Sequence, residues 1–358
     1  MQVAIIGCGL VGNLHAQAVR ELGYTIAMVV DPSEQKAKEF AELWGAEHFG
    51  ASFPMALEDD IQCIHICTPP TLHYAMARDA LNAGKHVICE KPLCLNPDEA
   101  KELVEIAQEK QLINAVNFNV RYHDVCKQAR NFISSPDFGK ICLVHGSYLQ
   151  EFHALPDQYS WRYKPELAGH MRATTEIGSH WIDLARFWTA LEITEVSANY
   201  GKFTPERYIE NGIMYPESRK TAKKVTVKTD DAAVISIRFS NKAIGNLLLS
   251  EVSHGRDNQL SIEVTGTKSS VWWNTEDPYH FCTSQKSSGI QIHTNAFGGG
   301  FPTTFKALFK EVYQDIESNR PSRKPTYPTF YDGYVNSMIC TAIYESANNN
   351  SAWVKVRC

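Results

Sequence analysis

No stretch of this 358-residue chain approaches the roughly 20 consecutive apolar residues that a bilayer-crossing helix needs. A helical membrane protein is thereby excluded, and a soluble, cytoplasmic protein with no membrane partner is expected. A basic stripe is missing too. The 35 Lys and Arg and 40 Asp and Glu are mixed along the chain and leave a formal net charge of -5, so no surface is built to neutralise a phosphate backbone and nucleic acid is excluded as a partner. Neither a basic leader nor a small-residue cleavage site accompanies Met1–Ile6, so that run is expected to be the first strand. The ten cysteines contain no CxxC pair with zinc spacing, and no metal is expected. Cys63, Cys67, Cys89 and Cys94 fall in or beside apolar strands and read as reduced, buried thiols of a cytosolic protein. There is no internal repeat. Gly298-Gly299-Gly300 lacks both the preceding strand and the following Lys-Ser/Thr of a phosphate cradle, so it reads as a loop.

What is present is alternation. From residue 1 to about 120, short apolar runs at Val3–Ile6, Thr25–Val30, Cys63–Cys67, His86–Cys89 and Ile113–Asn117 alternate with helical patterns. That predicts an α/β fold with a doubly wound parallel sheet. After a turn at Ser134–Asp137 the period changes. Longer alternating segments, Ile141–Tyr148, Ala233–Phe239, Gly245–Val252 and Ser261–Thr265, predict an α+β second domain with an open, largely antiparallel sheet. Helical patterns at Thr303–Ser318 and Phe330–Ala347 close the chain. The expected division is residues 1–120 for dinucleotide binding and 121–358 for substrate binding and oligomerisation, with the C-terminal helix free to pack back on the first domain. Arg219–Lys224 reads as a solvated loop.

Gly7-Cys8-Gly9-Leu10-Val11-Gly12 follows the first strand and opens a helix, which gives the GxGxxG string physical meaning. Gly7 permits the tight turn, Gly9 a close approach of backbone to a pyrophosphate, and Gly12 close helix–strand packing. The helix N-terminus supplies free N–H groups for the phosphates. Asp31 ends the second strand, where a carboxylate accepts hydrogen bonds from ribose hydroxyls and repels a 2′-phosphate, so NAD is expected in preference to NADP. A bare βαβ turn with Asp31 starting the turn at Pro32 is the alternative. Thr68, Pro69 and Pro70 follow the strand at Cys63–Cys67 and are expected to line the nicotinamide side, and His73, Glu90 and Lys91 are further cofactor-binding candidates.

Glu90-Lys91-Pro92 puts an ammonium at the carboxyl end of a strand, although a lone lysine there is equally a surface residue. In Glu176-Ile177-Gly178-Ser179-His180-Trp181-Ile182-Asp183, helical spacing puts Ile177, Trp181, Leu184 and Trp188 on one stripe and Glu176, His180 and Asp183 on another face. An imidazole between two carboxylates has its tautomer set and its basicity raised, as a proton acceptor requires. A core histidine bonded to its helix neighbours has the same pattern.

Taken together and in this order, the glycine turn, Glu90-Lys91-Pro92 and the segment Glu176–Asp183 resemble the Gfo/Idh/MocA oxidoreductases over essentially the whole chain. The resemblance implies a Rossmann domain, an α/β domain whose open sheet makes subunit contacts, and an active site between the two. It also implies Lys91 as the active-site lysine and His180 as the acid/base. Glu176 stands where the family usually has Asp, one methylene longer. The stretch Ala168-Gly169-His170-Met171-Arg172 looks closer to members acting on sugars such as levoglucosan. The expected activity is hydride exchange between NAD and a hydroxyl of a sugar or cyclitol, with catalytic Lys91, His180 and Glu176. Arg121, Tyr122, Trp161, Arg162 and Arg172, with Lys91 and His180, are candidates to grip the substrate. A homodimer or homotetramer is expected. An NAD-dependent glycosidase or a non-catalytic dinucleotide sensor are the alternatives, and the presence of both Lys91 and His180 argues against the sensor.

Overall fold

The computed structural model describes the whole chain apart from Asp59, Phe297, Arg320, Pro321, Arg323 and Cys358. It divides into two compact units, Met1–Tyr122 with Gly299–Ser337, and His123–Gly298 with Met338–Cys358. The helix Phe330–Ala347 is therefore shared, its first residues belonging to one unit and the rest to the other.

In the first unit the elements are β1 (Gln2–Ile6), α1 (Leu10–Glu21), β2 (Thr25–Val30), α2 (Glu34–Trp44), β3 (His48–Gly50), β4 (Cys63–Ile66), α3 (His73–Asn82), β5 (His86–Cys89), α4 (Pro97–Glu109) and β6 (Asn114–Val116). The strands form one parallel sheet in the order β3-β2-β1-β4-β5-β6. Both faces of the sheet are covered, which is why its strands are apolar throughout instead of alternating. Ala77 and Leu81 of α3 and Leu103 of α4 pack on one face. Ala16 and Val19 of α1 pack on the other with Phe305, Leu308, Phe309, Val312 and Tyr313 of the helix Phe301–Ser318. That helix, distant in sequence, thus completes the first unit's core. The strand order reverses between β1 and β4, and such sheets bind ligands beyond the carboxyl ends of the strands at that point. Sequence periodicity missed β3, which has three residues, with His48 and Phe49 exposed, and so carries no buried apolar run.

The second unit contains a nine-stranded sheet. Its order is Gly289–Thr294, His280–Gln285, Ser269–Asn274, Gln259–Gly266, Ile141–Leu149, Ile244–Ser250, Ala232–Phe239, Ile193–Gly201 and Val354–Lys355. Ile141–Leu149 runs parallel to Ile244–Ser250 and every other neighbouring pair is antiparallel. One face is packed by the helix Ser179–Thr189, all of whose residues are buried, so the one-stripe pattern read from the sequence understates its burial. Trp181 donates its indole N–H to the Ser261 carbonyl at 2.9 Å. Gly146 makes room for it, since a Cβ there would lie 2.7 Å from the indole nitrogen and 2.0 Å from that carbonyl oxygen. On the opposite face Val234, Ile244 and Leu248 are 58%, 60% and 43% exposed.

A second, four-stranded antiparallel sheet escaped the sequence reading. It orders Lys223–Thr226, Glu206–Glu210, Ile213–Tyr215 and Asp157–Gln158 over a small core of Tyr163, Met214 and Val227. Arg219–Lys224, expected to be a solvated loop, is corrected in part. Lys223 and Lys224 pair into this sheet, and Arg219 and Lys224 meet Glu210 and Glu206 at 3.2 and 2.6 Å. Among the described residues no helix is long and apolar enough to cross a membrane, and nine cysteines are free thiols. Cys94 is buried and its thiol pKa is pushed up by that burial.

Candidate cofactor and acid–base sites

The turn from β1 into α1 is shaped for a close visitor. Gly7 has φ +102°, and a Cβ on it would stand 2.6 Å from the Cys67 carbonyl oxygen. A Cβ on Gly12 would lie 2.1 Å from the Gly7 carbonyl oxygen. Both positions therefore exclude side chains for reasons internal to the fold. Gly9 differs, because a Cβ there meets nothing within 4 Å. Its bare backbone faces open space at the N-cap of α1, where no side chain caps the helix. Leu10 beside it is 80% exposed and Val11 is half-buried. Uncapped N–H groups at a helix N-terminus, reached over a glycine, form an anion cradle, and these residues fit a dinucleotide pyrophosphate. Asp31, at the end of β2, accepts the Cys8 N–H at 3.1 Å and the Ser33 N–H at 3.0 Å. Those bonds aim the carboxylate at the glycine turn and leave it further lone pairs for ribose hydroxyls.

Thr68, Pro69, Glu90 and Lys91 follow β4 and β5 at the carboxyl end of the sheet. His73, at the start of α3, is fully buried, its ring nitrogens 2.8 Å from the carbonyls of Thr68 and Pro92. The ring clasps the loops after β4 and β5 together, so its contribution to a cofactor site is to shape those loops.

Beneath them lies a polar chain that the motifs did not announce. His15 Nε2 is 3.0 Å from Glu90 Oε1, His15 Nδ1 is 2.8 Å from His65 Nδ1, and the Tyr313 hydroxyl is 2.7 Å from His65 Nε2. Asn117 donates to Glu90 Oε1 at 2.6 Å, and the Lys91 N–H to Glu90 Oε2 at 3.2 Å. Glu90 acting as an acceptor from His15 fixes one consistent direction for neutral rings. Tyr313 donates to His65, His65 to His15, and His15 to Glu90. The carboxylate at the end of this chain anchors the backbone of Lys91. His15 was legible only as a polar residue on the buried side of α1, and Tyr313 lies far along the chain.

Burial on its own would raise the Glu90 carboxyl, but the bond from His15, the nearby Lys91 ammonium and the bond from Asn117 outweigh it and bring its pKa down to about 2. A folded-state pKa below the unfolded value contributes stability that is full above about 4.5 and is lost as pH falls toward about 2. We expect Glu90→Gln to lower unfolding free energy at neutral pH by on the order of 3 kcal/mol, since each tenfold change in a protonation equilibrium is worth about 1.4 kcal/mol. In urea titrations the gap to the unmodified protein should narrow as pH drops from 6 toward 3. A gap that does not change with pH would contradict this account of Glu90.

In the second unit, the helix Ser179–Thr189 is entered through a π turn, Thr174–Gly178, that carries Glu176. The carboxylate of Asp230 explains the local backbone, for it accepts the N–H groups of Arg172 and Thr174 at 2.7 and 2.8 Å and the Thr174 hydroxyl at 2.8 Å. Glu176 accepts from Arg162 Nε at 2.9 Å. His180 is 7% exposed with its ring 6.4 Å from that of Tyr148, and Asp183 is buried. Arg162 lies over the Trp161 ring at 4.7 Å, and both side chains are half-buried. Arg172 is fully buried and bonded to Glu251 at 2.8 Å and to Asp231, with Arg207 sharing Asp231 at 2.7 Å. Its partners are protein carboxylates, so its observed place is in a structural ion cluster. Tyr122, in the first unit, gives its hydroxyl to Glu311 at 2.6 Å, and Arg121 lies 3.7 Å from Asp332. Asp230, Asp231 and Glu251 escaped the sequence reading. The signal was the acidic pair directly before an apolar strand.

A parallel sheet in this order, with its glycine turn, helix N-terminus and strand-end acid, defines a dinucleotide-binding protein. A family model described as oxidoreductase family, NAD-binding Rossmann fold, matches residues 1–118, and the corresponding C-terminal domain model matches residues 126–272. The levoglucosan dehydrogenase of Pseudarthrobacter phenanthrenivorans is 30% identical over 290 residues, covering 77% of this chain and 74% of that protein. The scyllo-inositol 2-dehydrogenase (NAD(+)) of Bacillus subtilis is 27% identical, covering 82% and 79%. A solved structure of levoglucosan dehydrogenase in complex with NADH and L-sorbose matches with a TM-score of 0.92 at 28% identity, over 100% of this chain and 99% of that one. The chain belongs to the Gfo/Idh/MocA oxidoreductase family, and its cofactor is NAD.

Proposed function

We propose that this protein oxidises a hydroxyl of a sugar or cyclitol to a ketone with NAD, or runs that reaction in reverse, in the cytoplasm. The observation that carries the reading is the likeness over the full chain to a dehydrogenase solved with NADH and L-sorbose. Bound NAD supplies the hydride acceptor. Lys91 donates a hydrogen bond to the reacting hydroxyl and His180 takes its proton. Glu176, held by Arg162, contributes a carboxylate to the same substrate. Trp161 and Arg162 offer an aromatic face and a planar donor, which suit a polyhydroxylated ring, and Arg121 is a further donor. Residues 1–120 carry the cofactor and 121–358 the substrate contacts and the assembly surface. The test is a panel of sugars and cyclitols, including levoglucosan, L-sorbose and scyllo-inositol, scored by NADH absorbance. At least one should reduce NAD. A panel in which none does, at any pH tried, would contradict the reading.

Asp31 carries the cofactor preference. Asp31→Ser removes the carboxylate that would repel a 2′-phosphate, and preference should move toward NADP by on the order of tenfold, equivalent to about 1.4 kcal/mol. Titration of both cofactors by fluorescence checks it, and tighter binding of NADP to the unmodified protein would overturn this role of Asp31. Val234, Ile244 and Leu248 on the open sheet face call for cover. A homodimer or homotetramer is therefore expected in light scattering, and a monomer at micromolar concentration would defeat that expectation.

A further inference from the structure

We propose that His153, Glu176 and Glu251 bind one first-row divalent cation with mixed nitrogen and oxygen ligation. Each offers one donor atom, and the three atoms lie within 4.8 Å of one another. In a zinc-type centre, with bonds of about 2.0–2.2 Å, donors stand roughly 3–4 Å apart, so a small rotation of Glu176 closes the set.

Two observations go beyond the clustering. Glu251 is fully buried; its Oε2 accepts Arg172 Nε at 2.8 Å, but its Oε1 has no hydrogen-bond partner among the described residues. A carboxylate oxygen shut away from water without a donor needs a proton or a cation. His153 is buried with Nδ1 at 2.8 Å from both Asp157 Oδ2 and the Tyr163 hydroxyl, which leaves Nε2 as the ligating nitrogen. A carboxylate behind the ring is the arrangement that orients a metal-bound imidazole. One imidazole and two carboxylates suit Mn2+ or Zn2+, whereas Ca2+ and Mg2+ favour all-oxygen sets.

The probe is Mn2+ alone, because Zn2+ would also seek the free thiols. The full chain, stripped with EDTA, is titrated while electron paramagnetic resonance counts the free ion. One Mn2+ per chain is expected, along with a rise in melting temperature. Glu251→Gln, which keeps an oxygen for Arg172, and His153→Gln should each weaken binding by tenfold or more. Asp157→Asn, acting through His153, should weaken it by roughly tenfold to a hundredfold. Absence of bound Mn2+ in the unmodified protein, or binding unchanged in His153→Gln, overturns the site, as it would if the pocket held a shared proton. Should Glu251→Gln fail to fold, His153→Gln and the ion count on the unmodified protein still decide. No sugar enters these measurements, so their failure and that of the proposed oxidation are separable.

Discussion

His180→Ala should cut turnover by roughly 100-fold to 10,000-fold, the range lost when an acid/base group is removed from a reaction that needs it. NAD binding should be nearly unchanged, because the glycine turn, the N-terminus of α1 and Asp31 all lie in the first unit, and His180 in the second. The helix that holds His180 is buried along its whole length, so the ring's position is set by packing and not by solvent. A stability change alone would reduce the fraction folded and scale all activities together. Loss of the base lowers kcat on folded protein while the cofactor still binds. Steady-state kinetics on a verified substrate, alongside cofactor titration and a melting curve, separates these outcomes. Near-normal turnover in His180→Ala would sink the assignment and leave His180 as a core histidine.

Lys91→Met should lower turnover over a similar range and also raise KM, since it removes the donor that holds the hydroxyl as well as a positive charge. The substitution keeps an unbranched apolar stem one atom shorter, and the backbone of residue 91 stays tied to Glu90 through its N–H. The cofactor loops should therefore persist. Combined with His180→Ala, the loss should fall well short of the product of the two single losses, because groups that act as a unit on one atom are strongly non-additive. Multiplicative losses in the double variant would mean that the two residues act on different steps. Both predictions rest on the proposed oxidation, and each is read out in kinetics on EDTA-treated protein, so that an ion at Glu176 does not enter either comparison.

Much of the first unit was legible because its signals are local. A strand, three glycines and a helix start lie within twelve residues of the N-terminus, so the whole turn can be read as one string. Strands buried on both faces announce themselves as apolar runs. The three-residue β3 does not, because its pairing comes from β2 and its side chains stay exposed. The helix Phe301–Ser318 was legible as a helix, but its membership of the first core was not, since local periodicity carries no address for a contact so far along the chain. The same limit hid the chain from Tyr313 through His65 and His15 to Glu90. Its members lie on four separated segments, and only Glu90 stands in a recognisable string. In the second unit the motif residues Glu176, His180 and Asp183 were visible as a pattern, whereas the π turn that carries Glu176 depends on Asp230, more than fifty residues further along. Arg172 illustrates the converse. A buried arginine and a ligand-gripping arginine look alike in sequence, and only Glu251 and Asp231 around it tell them apart.

In the proposed oxidation, hydride leaves a carbon of the sugar for NAD and remains there as product. That transfer is tested most directly with a turned-over sugar or cyclitol carrying deuterium on the carbon to be oxidised, followed by mass spectrometry of both products. One deuterium on each NADH formed, an unlabelled ketone, and NADH accumulating in step with it are the expected result. Deuterium retained in the sugar product without accumulation of NADH would contradict the proposed oxidation, and would mark the hydride transfer as a transient step in bond cleavage.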